Sequence, residues 1–245
     1  FTNNKPNFMN AQRKPDETGS AAGACHSVRM RIGILGATGP AGRGLAARLA
    51  SVGYDVLFGS RSYEKAAAAV DELRAQWGDR VSGLVPTNNT DACNAPVVIL
   101  AVQADSIIET VKANAEFLSN KVVVSMANNL VRHGKEFNAV LPPHGSVAAE
   151  IQALLWRSHV VTAFHLVPAA EFAALDRDMV SDVVVLGDED DARDTLMNIV
   201  SSIPNLRPLD GGSLRNAVGM ETFAAILLTI NVRHKMRASL RLITV

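Results

Sequence analysis

Three groups of residues in this chain have the types and spacing to do chemistry. Gly36, Gly39 and Gly42 recur at every third position of Arg-Ile-Gly-Ile-Leu-Gly-Ala-Thr-Gly-Pro-Ala-Gly, residues 31–42. Gly36 suits a tight turn, Gly39 lets backbone approach a pyrophosphate, and Gly42 lets a helix pack closely on a strand, while the first amides of that helix stay free for phosphate. The spacing GxxGxxG is a variant of the usual dinucleotide fingerprint. The second group, Gly59-Ser60-Arg61 with Lys65, lies at the distance along the chain where such a fold meets the adenosine ribose. A carboxylate there would bond a free 2′-hydroxyl; Ser60, Arg61 and Lys65 suit a 2′-phosphate instead, which favours NADP(H) over NAD(H). The alternative is a pair of solvated cations at the start of a surface helix. The third group is His165, the polar residue best placed to meet the nicotinamide half. Its alternative is a histidine that only bonds a neighbouring loop, just as Asn128 and Asn129 divide between ligand contact and turn formation.

The elements that must position these groups follow from apolar pattern and punctuation. Residues 32–35 read as a buried parallel strand, and 44–50 as the helix after the glycine turn. A second strand spans 54–58, and a helix over 63–77 is capped by Ser62. Strands are expected at 81–85 (closed by Pro86), 97–102, 121–125, 160–164, 183–186 and 206–209, with helices at 106–118, 146–155 and 191–203. Residues 88–94 read as a turn and short helix, and 126–143 as one long polar loop. Alternation of strand and helix predicts an α/β fold, a doubly wound parallel sheet of the Rossmann type, over 30–204. From 213 to about 234, Ala217, Met220, Ala224, Leu227 and Asn231 stand at helical spacing, so 205–245 is expected to form a small helical C-terminal region. Its apolar face must be covered by its own domain or by a partner subunit. Residues 1–29 have no hydrophobic period and no apolar signal core, and are expected to be a flexible leader.

Composition narrows the function. The chain has 245 residues, 48% of them hydrophobic, enough for one substantial core. With 24 Lys and Arg against 24 Asp and Glu, there is no long basic block of the kind that binds nucleic acid or a membrane surface. Cys25 and Cys93 form no CxxC pair, which fits a reducing cytoplasm, and the six histidines show no metal-ligand spacing. Small molecules are therefore the expected partners, and no metal is expected.

Other catalytic templates fail. A short-chain dehydrogenase needs Tyr-x-x-x-Lys, but Tyr54 and Tyr63 are followed four residues on by Phe58 and Ala67. No nucleophile elbow or Ser/His/Asp order is present. If the chain is an enzyme, cofactor chemistry should dominate, and a hydride moving between two stacked redox coenzymes would need mainly positioning and exclusion of water from the protein.

The chain resembles the NADPH-dependent reductases of coenzyme F-420, an 8-hydroxy-5-deazaflavin. The resemblance is carried by Met30-Arg31-Ile32 with Gly36 to Gly42, Gly59-Ser60-Arg61 with Lys65, Ala163-Phe164-His165-Leu166-Val167-Pro168-Ala169-Ala170, Gly187-Asp188, and Leu206-Arg207-Pro208-Leu209-Asp210 with Gly212 and Leu214. It implies reversible hydride transfer between C4 of the nicotinamide and C5 of the deazaflavin, in a homodimer. It also implies that Thr38, Gly39, Pro40 and Ala41 hold the pyrophosphate and that Ser60, Arg61 and Lys65 hold the 2′-phosphate. Ala101, Asp105, Ala127 and Ala169 would lie along the rest of NADP. His165 and Val167 would sit near the facing rings, His165 as the candidate catalytic residue, and Leu240 would help close the deazaflavin pocket. Ala101-Val102-Gln103 and Met126 to Asn129 depart from the family's pattern, as does the tail from Arg237. Two other readings stay open: a reductase of an imine or carbonyl compound with His165 as proton donor, and a non-catalytic NADP sensor.

Overall fold

The computed structural model describes residues 30–243; the leader expected over 1–29, with Cys25 and His26, lies outside the described residues. The elements run β1 (Arg31–Leu35), α1 (Pro40–Ser51), β2 (Asp55–Ser60), α2 (Tyr63–Trp77), β3 (Leu84–Asn88), α3 (Asn89–Ala92), β4 (Val97–Leu100), α4 (Ala104–Ala113), α5 (Ala115–Leu118) and β5 (Val122–Ser125). They continue with β6 (Leu130–His133), β7 (Glu136–Ala139), α6 (Val147–Leu154), β8 (His159–Thr162), α7 (Ala169–Ala173), β9 (Ser181–Gly187), α8 (Asp190–Ser201), β10 (Leu206–Asp210) and α9 (Ala217–His234).

Eight strands make one sheet in the order β10-β9-β8-β5-β4-β1-β2-β3. The order reverses between β1 and β4, which pair in parallel, and this is the switch point of a doubly wound fold. Successive side chains of a strand point to opposite faces, so each buried strand feeds two cores. Ile32, Ile34, Val97, Ile99, Val124 and Val161 pack with α1, α2, α7 and α8. Leu35, Val98, Leu100, Val123 and Val160 pack with α4, α6 and the start of α9 on the other side.

Several expectations need correction. The sheet is only mostly parallel, because β9 runs antiparallel to β8, with Thr162 opposite Leu186. Between them lies only the five-residue α7, not a full crossover helix, and the chain re-enters from beyond the carboxyl end of β8. The third strand falls at 84–88, not 81–85, with Pro86 inside it; β3 is an edge strand, where a missing amide is tolerated. The helix expected over 106–118 is split at Asn114 into α4 and α5. The loop expected over 126–143 contains the antiparallel hairpin β6–β7. The strand expected at 206–209 is present as β10, but it joins the main sheet beside β9, so that sheet extends past residue 204 into the C-terminal region.

Helix α9 is fastened by a buried carboxylate. Glu221 accepts hydrogen bonds from the backbone amides of Val147 (2.7 Å) and Ala148 (3.1 Å), the first amides of α6. Burial pushes its pKa up to about 7 despite the two donors, which pull the other way. An unfolded glutamate titrates near about 4.3. The folded value is the higher one, so the contribution to stability is complete below about pH 4.3 and is lost as pH rises through about 7. Urea midpoints of the wild type should therefore fall between pH 6 and pH 8.5. A Glu221→Gln variant, less stable at low pH, should lose that slope.

Candidate functional site

The glycine turn is built as its spacing predicts, with reasons the structure makes explicit. Gly36 has φ +73°, and a Cβ there would lie 2.9 Å from Val102 Cγ2. A Cβ on Gly42 would lie 2.9 Å from both the Ala101 Cβ and the Gly36 carbonyl oxygen, so the start of α1 can approach β4 only with glycine there. Pro40 occupies the first turn of α1, where no amide hydrogen is needed, and Gly39 provides no side-chain cap. With no acidic residue in that first turn either, the free amides and the positive end of the helix dipole face outward. That arrangement fits a pyrophosphate.

A residue outside the glycine motif holds the turn in place. Asn89 Oδ1 accepts from the Gly36 amide at 3.2 Å, although β2 lies between β1 and β3, the strands they follow. Gly59 makes room for this: a Cβ there would come within 2.7 Å of the Ile34 carbonyl oxygen and 3.2 Å of Asn89 Oδ1. A second backbone bond, Ala37 N–H to the Gly59 carbonyl (2.8 Å), ties the turn to the end of β2.

Beyond the carboxyl ends of β1, β4 and β5 opens a cleft of about 500 Å³. Among the expected site residues, Gly39, Pro40, Ala41, Ala101, Asp105, Ala127 and Ala169 line it together. Asn128 and Asn129 line it as well. Two apolar walls were not foreseen: Leu130, at the root of the hairpin, and Leu228, on α9. No sequence spacing links these two positions, which lie nearly one hundred residues apart in β6 and α9.

Ser60, Arg61 and Lys65 stand apart from the cleft lining, at the end of β2 and in the first turn of α2. Ser60 is buried and its hydroxyl accepts from the Ser62 amide at 3.3 Å. Arg61 and Lys65 are exposed and make no ion pair among the described residues. Thr38 is exposed, Gly36 is half-buried within the turn, and Gly42 is buried in the first turn of α1.

The structure does not bring His165 into the cleft. The residue is 9% exposed and its Nε2 lies 2.5 Å from Thr162 Oγ1, which in turn donates to the Ser125 carbonyl at 2.9 Å. Burial pushes the ring's pKa down to about 4, so it is neutral at pH 7. Its influence on the cleft runs through the backbone: the His165 carbonyl accepts from Asn128 Nδ2 at 3.1 Å and so sets that cleft residue. Val167 is buried beside it. Leu240 does not line the cleft either; it packs with Leu166, Ala224, Leu227 and Leu130, just behind the apolar wall. The tail that carries it is docked on Asp182, whose amide donates to the Leu240 carbonyl (2.8 Å) and whose carboxylate accepts from Arg207 and the Leu242 amide (each 2.6 Å). The Arg207 hydrogen bond holds the Asp182 carboxyl below the usual carboxylate range.

Among the described residues, no cluster of side chains could hold a metal ion. The cleft therefore offers the uncapped start of a helix, apolar walls and a few side-chain amides.

Comparison with known proteins agrees with this geometry. Residues 31–129 match the family described as NADP oxidoreductase, coenzyme F420-dependent. The F420-dependent NADP reductase of Methanocaldococcus jannaschii is 33% identical over 215 residues, covering 86% of this chain and 96% of its own. That of Methanothermobacter thermautotrophicus is 28% identical, covering 85% and 92%. A crystal structure from Arthrobacter sp. FB24, 24% identical, superposes with a TM-score of 0.75 over 88% of this chain and 100% of its own, and carries the same fold. With a third of its residues shared along nearly the full length of the methanogen enzyme, the chain belongs to the F420-dependent NADP reductase family.

Proposed function

We propose that this protein transfers a hydride reversibly between NADPH and the deazaflavin coenzyme F-420. The observation that carries the reading is the identity with the M. jannaschii reductase over 96% of that protein. The cleft supports it. The uncapped start of α1, with Gly39, Pro40 and Ala41, would hold the pyrophosphate, and Ser60, Arg61 and Lys65 the 2′-phosphate. Ala101, Asp105, Ala127 and Ala169 would run along the remainder of NADP. When bound, the nicotinamide supplies the hydride chemistry; the protein's part is to align the rings and exclude water.

In this reading His165 and Val167 are positioning residues behind the rings, and Leu240 closes the deazaflavin side with Leu130 and Leu228. Reduction of an imine or carbonyl acceptor would call for a proton donor in the cleft. The buried, neutral His165 is poorly suited to that task, which favours the deazaflavin. We further propose a homodimer working in the cytoplasm, with small coenzymes rather than nucleic acid as partners. Phe223, Ile226 and Ile230 leave one exposed apolar stripe along α9, which a second copy would cover. Among the described residues no helix is long and apolar enough to cross a membrane.

The test is direct: mix the purified protein with NADPH and oxidised deazaflavin coenzyme and follow loss of the deazaflavin absorbance. Turnover is expected. Tight NADPH binding without turnover would favour the sensor reading, and turnover only with an imine or carbonyl compound would favour the other reductase.

A further inference from the structure

The chain as a whole is neutral, but its charge is not evenly spread. Residues 130–141 and 228–243 contain six Arg and Lys (Arg132, Lys135, Arg233, Lys235, Arg237 and Arg241) and two histidines, His133 and His234, against the single carboxylate Glu136. These two segments pack together: the Phe137 amide donates to Thr229 Oγ1 at 2.9 Å, and Arg233 meets Glu136 at 3.4 Å. That pairing neutralises Glu136, while Arg237 and Arg241 are engaged by Glu171 and Asp182. Arg132, Lys135 and Lys235 are left exposed with no ion pair among the described residues, and His133 and His234 stand exposed beside them. Arg132 is held in place: its Nε donates to the Gly134 carbonyl at 2.9 Å and its guanidinium lies over the Phe137 ring.

This patch is rooted in the cleft wall, since Leu130 begins the hairpin and Leu228 lies within α9. At about 3.3 Å per strand residue, Arg132 lies roughly 7 Å out from Leu130, and Lys135, in the turn just past His133, lies roughly 10 to 13 Å out. At about 1.5 Å per helical residue, Lys235 lies roughly 10 Å beyond Leu228. The opposite end of the fold already has its own cations, Arg61 and Lys65, at β2. The hairpin end is thus a second basic pole, across the cleft from the first.

We propose that the β6–β7 hairpin and the carboxyl end of α9 form an anion-binding collar for the phosphodiester- and carboxylate-bearing side chain of the deazaflavin substrate. The inference rests on the reading that a deazaflavin is the hydride partner. Two polyanionic coenzymes then enter from opposite basic poles, and their uncharged rings meet over the apolar walls between. Cations so exposed act through long-range attraction, so their effect is salt-dependent and falls mainly on capture of the substrate.

The test compares two acceptors: the complete deazaflavin coenzyme, and 8-hydroxy-5-deazariboflavin, which has the ring but no phosphate or carboxylate. The double variant Lys135→Glu/Lys235→Glu changes two exposed side chains that make no hydrogen bond or ion pair among the described residues. Its KM for the complete coenzyme should rise roughly tenfold at low salt, and the difference from wild type should shrink as salt is added. KM for the tail-less ring, KM for NADPH and kcat should not change. An unchanged KM for the complete coenzyme would overturn the collar, as would an equal rise with the tail-less ring. Failure of the wild type to reduce either acceptor would overturn the hydride reading itself, and the collar with it.

Discussion

Replacing Arg61 with alanine is expected to raise the KM for NADPH by roughly 10- to 100-fold while leaving that for NADH nearly unchanged, the loss of a charge-assisted contact to one phosphate. The expectation follows from what the end of β2 offers and lacks. Arg61 is exposed and free of ion pairs among the described residues, and Lys65 stands one turn into α2. The strand ends in Gly59 and a buried Ser60, with no carboxylate to prefer an unphosphorylated ribose. Lys65→Ala should show a smaller effect in the same direction, because an ammonium lacks the fork that grips a phosphate with two hydrogen bonds. Steady-state kinetics with both nucleotides decide the matter. A variant that keeps the wild-type preference for NADPH would refute the 2′-phosphate assignment of this strand end.

The second large effect is expected far from any motif. Arg48, on α1, is only 7% exposed and bonds three backbone carbonyls that terminate α7: Phe172 (3.3 Å), Glu171 (2.8 Å) and Ala174 (2.7 Å). Close packing allows this, since a Cβ at Gly44 would lie 2.8 Å from the Ala173 nitrogen and from the Phe172 Cβ. An Arg48→Met variant keeps the apolar stem but strands three acceptors. At about 1 kcal/mol or more for each buried group left without a partner, the loss is about 3 kcal/mol. In a chain of this size that lowers Tm by roughly 6 to 12 °C. Ala169, which lines the cleft, opens α7, so the KM for NADPH should rise as well. A variant that melts with the wild type would show that α7 is held by its apolar contacts alone.

Much of the fold was legible in the residues. The apolar runs of β1, β4 and β5, the Ser62 cap of α2 and the glycine turn all follow from interactions within a few residues. Such interactions leave a spacing in the sequence. Of the seven expected residues that line the cleft, Gly39 follows from the glycine spacing, and the ends of β4 and β5 bring Ala101 and Ala127 near it, but Asp105 and Ala169 were indicated only by the family resemblance. The hairpin β6–β7 was harder to see. Its strands are short and largely exposed, with Arg132, His133, Glu136 and Asn138 interrupting the apolar pattern, and it is steadied by contact with α9 rather than by its own core.

Sequence alone therefore determined the first structural unit of this protein: a strand, a glycine turn, a helix with no side-chain cap at its start, and, after β2, cations with no carboxylate at the strand end. Tertiary structure decided the rest. It turned β9 against its neighbour, folded His165 away from the cleft, brought Asn89 across an intervening strand to Gly36, and set Leu228 opposite Leu130. Each of those contacts joins residues between three and nearly one hundred positions apart through packing on a shared face. Helical and strand periodicity reports which face a side chain takes, but not which distant segment will meet it there.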